Sequence, residues 1–181
     1  HNNQGDHHMS QSLCLNLVHL IYSTKNREPN ITPEVAPKLF AFQAGVFQEW
    51  QCPALIIGGT ADHVHTLFML SKNHALIKII EEVKRASSKW IKTEDASLAS
   101  FHWQNGYGAF SVSQSHVAKV RRYIEQQIEH HRTRTFQEEF RLFLKRHNVE
   151  YDERYVWDLG IVVPFQGTTL GESGTQGVGH V

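Results

Sequence analysis

The sequence predicts an α+β fold: a ferredoxin-like β-α-β-β-α-β antiparallel sheet with helices on one face, plus C-terminal helices. Three observations predict it. Short apolar runs of strand character alternate with longer stretches of helical period, in that order. The chain has 181 residues and 20.8 kDa, the length of one ordinary domain, able to bury a core without covalent staples. Apolar residues make up 40% and charged residues 20%, a globular composition and not a disordered one.

Each element has its own signal. Leu13 to Ser23 reads as a buried strand. Pro33 to Gln51 reads as a helix, with Thr32 as N-cap, Pro33 in the first turn and Val35, Leu39, Phe42 and Val46 on one face. Pro53 to Gly59 is a short strand ending at Gly58-Gly59, and His63 to Leu70 is its hairpin partner across Thr60-Ala61-Asp62. Asn73 caps a helix through about Lys92, with Leu76, Ile79, Ile80 and Val83 as its stripe. Ala109 to Val112 is a fourth strand. Ser113 or Ser115 starts a helix through about His131, and Thr135 to His147 is a last helix with Phe136, Phe140, Phe143 and Leu144 spaced for packing.

The ends are atypical. Residues 1–8 lack periodicity and read as an appended remnant before a natural start at Met9. Residues 9–158 read as one domain, and 159–181, rich in glycine, as a flexible tail. The longest apolar runs fall far short of the roughly 18 residues of a membrane span. Cys14 and Cys52 are too few for a disulfide framework and read as reduced core residues. With no leader legible, a cytoplasmic location is expected.

The sharpest chemical feature is Asp62-His63-Val64-His65. On a strand, residues two apart share a face, with Cα atoms roughly 7 Å apart. His63 and His65 can therefore converge on one ion, although two surface histidines on a half-exposed strand fit the triplet alone equally well. In Val120-Arg121-Arg122-Tyr123-Ile124-Glu125-Gln126-Gln127, Tyr123 and Gln127 are four apart and share a helical face. A boundary tyrosine that merely packs is the commoner reading of such a position. A nucleophilic one needs help, because a free phenol titrates near about pH 10; a divalent cation and nearby arginines supply it.

The pieces His19-Leu20-Ile21-Tyr22-Ser23-Thr24-Lys25, Gly58-Gly59, Asp62-His63-Val64-His65, Ser87-Ser88-Lys89-Trp90-Ile91 and Arg122-Tyr123-Ile124-Glu125-Gln126-Gln127 resemble those of the single-tyrosine transposases of the insertion-sequence 200/605 type, within the HUH (His-hydrophobic-His) endonuclease class. The resemblance runs from about Leu13 to Trp157. It implies a homodimer that cuts and rejoins single-stranded DNA at hairpin-marked ends of a mobile element, with the tyrosine helix of one subunit facing the histidines of the other. It also implies a 5′-phosphotyrosine intermediate and a Mg²⁺ or Mn²⁺ ion. On this chain the resemblance makes Tyr123 the nucleophile, His63, His65 and Gln127 the metal ligands, and Asp62 a support for the ion or its waters. Three neutral ligands would leave the ion its full charge as a Lewis acid on a phosphate oxygen, whereas a carboxylate would hold it more tightly and blunt that effect.

The 18 Lys+Arg balance 18 Asp+Glu, but unevenly. Residues 72–92 carry six cations against Glu81 and Glu82, and residues 119–134 carry five against Glu125 and Glu129. Two basic helices that could lie near each other would serve DNA phosphates, although such runs are commonly solvated helix faces. Lys25, Arg27, Lys84, Arg85, Lys89, Arg121 and Arg122 are the candidate DNA contacts. Trp90, His102, Trp103 and Tyr107 could stack on bases or pack in the core. No membrane or small-molecule partner is expected. Two other readings compete: a domesticated relative that processes host palindromes with the same residues, and a non-catalytic single-stranded nucleic-acid-binding module of RRM-like shape, whose sheet surface would carry stacking aromatics.

Overall fold

A computed structural model describes residues 13–130 and 135–152. The expectations for 1–8 and 159–181 lie outside them. The elements are β1 (Asn16–Ser23), α1 (Ala36–Glu49), β2 (Ala54–Gly59), β3 (His63–Leu70), α2 (Leu76–Glu94), β4 (Gly108–Val112), α3 (Val117–Glu125), α4 (Gln127–His130) and α5 (Phe136–Arg146). The strands form one sheet in the order β2-β3-β1-β4, with every neighbouring pair antiparallel. This is the split arrangement that the element order predicts: each crossover helix returns the chain one strand beyond its starting neighbour.

Alternation along the strands divides the molecule into two cores. Val18, Leu20 and Tyr22 of β1 and Val64 and Phe68 of β3 face Leu39, Val46 and Phe47 of α1 and Ile79, Ile80 and Val83 of α2. Each such side chain, fully buried, stabilises the fold by roughly 1.5–3 kcal/mol. The intervening residues face the other way. There Ile21 and Phe110 pack against Phe136, Phe140 and Leu144, and Ile124 of α3 closes on Gly58 of β2. The sheet thus has a helix layer on each face, and the C-terminal helices form the second. An RRM-like module needs an open aromatic sheet face, and here neither face is open among the described residues.

Several boundaries differ from expectation, each for a local reason. α1 starts at Ala36, not Pro33, but Thr32 still caps the turn that leads into it: its Oγ1 accepts from the Val35 amide at 3.4 Å, and its carbonyl accepts from the Val35 and Ala36 amides at 3.1 and 2.9 Å. α2 starts at Leu76 after an extended Ala75, so Asn73 is not its cap. The tyrosine-bearing helix does not run unbroken to His131. Gln126 (φ −96°, ψ 14°) leaves helical geometry and separates α3 from α4. Cys14 is exposed, because the sheet begins only at Asn16, while Cys52 is buried; both are free. Trp103 belongs to the core and Trp90 stacks on Phe42 at 4.9 Å, so these aromatics pack.

A polar knot ties the first core together. Trp103 Nε1 donates to Ser87 Oγ at 3.0 Å, Gln43 Nε2 donates to it at 3.4 Å, and Ser87 Oγ donates to the Val83 carbonyl at 2.6 Å. Ser87→Ala is expected to leave the buried indole N–H unsatisfied and to cost about 1–3 kcal/mol in urea unfolding.

Candidate active site

The hairpin fixes where the triplet begins. Gly58-Gly59 ends β2, and the Thr60 amide donates to the His63 carbonyl at 3.0 Å. A Cβ on Gly59 would lie 2.2 Å from that carbonyl oxygen and 3.0 Å from Val64 Cα. Both are backbone atoms, so neither can turn aside. Gly59→Ala is therefore expected to push His63 from its place and to destabilise the fold by about 1–3 kcal/mol, read as a lower thermal midpoint.

Register then carries His63 and His65 under α3 and α5. His65 pairs with Ile21 and His63 with Ser23, and both imidazoles are buried. Each ring is oriented through Nδ1. The His63 Nδ1–H donates to Asp62 Oδ1 at 2.7 Å, and Asp62 also accepts from Thr60 Oγ1 and pairs with Arg27. Burial pulls the Asp62 carboxyl up. The hydrogen bonds and charges of His63 and Arg27 outweigh that and hold it far below the usual carboxylate range. His65 Nδ1 lies 3.0 Å from His19 Nε2. With both Nδ1 atoms engaged, both Nε2 atoms are left to face the site, the arrangement that outer partners impose on metal-binding histidines. Asp62 therefore acts on His63, where the sequence suggested a role toward the ion or its waters.

His19 had no visible role in the sequence. It occupies the β1 position that faces β3 on this side, and burial lowers its pKa to about 4, with His147 adding to the shift and Glu139 opposing it. Above its ordinary value of 6.5 the imidazole is neutral in both folded and unfolded chains. Between about 6.5 and about 4 the unfolded chain takes up a proton that the folded chain refuses. Stability is therefore expected to fall over that window by up to about 3 kcal/mol, and His19→Gln should flatten this part of the urea-midpoint profile.

The sequence reading also missed Glu139. Its carboxylate Oε2 is 3.8 Å from His65 Nε2, and one ligand atom from each of His63, His65 and Glu139 lies within 4.8 Å of the others. The signal was present. Residues 136, 139, 140, 143 and 144 follow the i, i+3, i+4, i+7, i+8 stripe of a core-facing helix, and Glu139 is its one charged member. Thr135 and Glu138 form a capping box that fixes the start of α5 and hence the phase of that stripe. Two imidazoles and a carboxylate, buried together with converging lone pairs, fit a divalent cation such as Mn²⁺.

Tyr123 and Gln127 reach the same place. The Tyr123 ring lies 5.6 Å from the His65 ring and 6.0 Å from His19, within one chain. Gln127 Oε1 is 3.4 Å from His63 Nε2, while its amide donates to the Tyr123 carbonyl at 3.4 Å. Burial raises the Tyr123 phenol well above its ordinary value; the charge of Glu139 and a hydrogen bond to it add to the shift, and Gln127 and Arg146 only partly offset it. The phenol is thus held neutral.

The basic candidates are scattered. Arg27 is spent on Asp62 and on the Phe136 ring, 4.3 Å away. Lys84 donates to the carbonyls of Gln104, Asn105 and Gly106, and burial lowers its pKa to about 8. Arg85 pairs with Glu82. These two, with Lys89, lie on α2, across the sheet from the exposed Arg121 and Arg122 of α3. The two basic helices therefore do not adjoin. Lys25 is exposed near the Asp62 turn.

The chain matches the family model described as "Transposase IS200 like" over residues 13–127. Among solved structures it is similar to a candidate transposase from Deinococcus radiodurans R1, at 22% identity and a TM-score of 0.52, covering 66% of this chain and 98% of that one. It also matches a REP-associated tyrosine transposase bound to a REP hairpin, at 12% identity and a TM-score of 0.45, covering 66% and 70%. No curated protein matches. No described helix is long and apolar enough to cross a membrane. With the family model spanning β1 through Gln127, this chain belongs to the IS200-like transposase family.

Proposed function

We propose that this transposase nicks and rejoins single-stranded DNA at hairpin-marked element ends through a 5′-phosphotyrosine intermediate, with residues 9–158 as its catalytic domain. The observation that carries the reading is the buried meeting of Tyr123 with His63, His65 and Glu139 in one chain. His63 and His65 would hold Mg²⁺ or Mn²⁺ through Nε2, with Gln127 as the neutral ligand that the family resemblance implies and Glu139 as an anionic one. When bound, the ion supplies Lewis-acid polarisation of a phosphate oxygen. Glu139 would bind it more tightly at some expense of that polarising power.

The chain's own residues do the rest. The Tyr123 hydroxyl, within the field of the Glu139 carboxylate, attacks phosphorus. The new Oη–P bond replaces the P–O3′ bond, and the phenol proton ends on the departing 3′ oxygen. A DNA 3′-OH can reverse the step without another energy source, so strands can be rejoined. Among the candidate contacts, the exposed Arg121, Arg122 and Lys25 would meet the backbone. The protein would work in the cytoplasm, and a homodimer would bring two element ends together.

The test is incubation of the full chain with single-stranded hairpin oligonucleotides and Mn²⁺. A denaturation-resistant protein–DNA adduct mapping to Tyr123 is expected; nicking without an adduct, or an adduct elsewhere, would overturn the proposal. Mn²⁺ alone should raise the thermal midpoint, and His63→Ala should abolish that rise.

A further inference from the structure

Beside Tyr123, on the side away from the β2–β3 turn, lies a cavity of about 510 Å³. Ligand pockets commonly span about 300–1,000 Å³. The cavity is walled by β4, the start of α3 and the end of α5, and Tyr123 forms part of its lining. Its chemistry is two-sided. One wall is aromatic: Phe110 stacks on Phe143 at 5.5 Å and 24° and lies 4.8 Å from the His147 ring at 31°. Lys119 and Arg146 also line it, with Ser113 and His116 between β4 and α3 and His19 from β1. No acidic side chain among the described residues lines it. Arg27, Lys84 and Arg85 are held by protein acceptors, but Lys119 and Arg146 are exposed at this cavity. The charge of Arg146 is felt at the Tyr123 phenol.

We propose that this cavity is a nucleotide subsite: it takes one unpaired nucleotide of the strand being cut, with the base against Phe143 and His147 and its phosphate on Lys119 and Arg146. Every base offers a π-face, so an aromatic wall accepts unpaired bases with little sequence preference. Two cations beside the nucleophile give the adjoining phosphate a place next to Tyr123. A purely apolar ligand would leave those cations without a counter-charge, and inorganic phosphate would leave the aromatic wall unused. The subsite rests on the strand-cutting reading above, which supplies the strand.

The test uses the full chain and three probes: thymidine 5′-monophosphate, thymidine and inorganic phosphate. Calorimetric titration is expected to show the monophosphate binding at least about tenfold tighter than either fragment. His147→Ala and the pair Lys119→Ala with Arg146→Ala should each weaken it about tenfold. These side chains are exposed, so an unchanged thermal midpoint will show that the variants fold. Phosphate binding as tightly as the monophosphate would mean an anion site only and would overturn the proposal, as would variants that bind unchanged. The two readings fail separately: nucleotide binding without a Tyr123 adduct overturns the nucleophile, and an adduct without nucleotide binding overturns the subsite.

Discussion

Tyr123→Phe is expected to lower adduct formation and nicking by at least about a thousandfold, because it removes the attacking oxygen and no other group replaces it. Single-stranded DNA affinity should stay within about twofold, since the phenol carries no charge that phosphate binding uses. The fold should also persist. The ring keeps its contacts with His19, His65 and Phe143. A denaturing gel with labelled hairpin DNA reads the adduct, and anisotropy reads the binding. A Phe variant that still forms the adduct would remove Tyr123 from the mechanism. In the parent, the raised phenol pKa predicts that adduct formation climbs with pH through the neutral range without levelling.

Glu139→Gln should separate the two views of the metal site. If the carboxylate is a ligand, Mn²⁺ affinity falls at least about tenfold, read by calorimetry or by the Mn²⁺ resonance signal. Gln127→Ala then has the smaller effect, as a neutral amide contributes less than a charge. The same Glu139→Gln change removes a charge and a charged acceptor that hold the Tyr123 proton in place. The phenol should therefore ionise at lower pH, and the adduct profile should move toward acid. If Mn²⁺ affinity were unchanged in Glu139→Gln and lost in Gln127→Ala, the carboxylate would serve the tyrosine alone.

Strand identity, strand order and the shared face of His63 and His65 were legible because a two-residue period and a glycine turn are local properties. The four-residue spacing of Tyr123 and Gln127 was legible too, but not the break at Gln126 that puts them on separate helices, α3 and α4. Less legible was the use of the charged side chains. Lys84 sits in a basic run but donates to the loop carbonyls at Gln104, Asn105 and Gly106. Arg27 resembles a phosphate contact and instead holds Asp62. Such partners are far away in the sequence, and charge counting does not register distance in space.

The sequence by itself determined the α+β class, the helical and strand phases and the family to which the chain belongs. Those follow from periodicity and local motif, which neighbouring residues set. Only the tertiary structure decided that His19 and Glu139 join the site. His19 reaches His65 across the β1–β3 ladder at 3.0 Å, and Glu139 reaches it from α5, which closes the histidine-bearing face of the sheet. The physical reason is that a buried imidazole needs partners for both ring nitrogens, and long-range packing chooses which residues supply them.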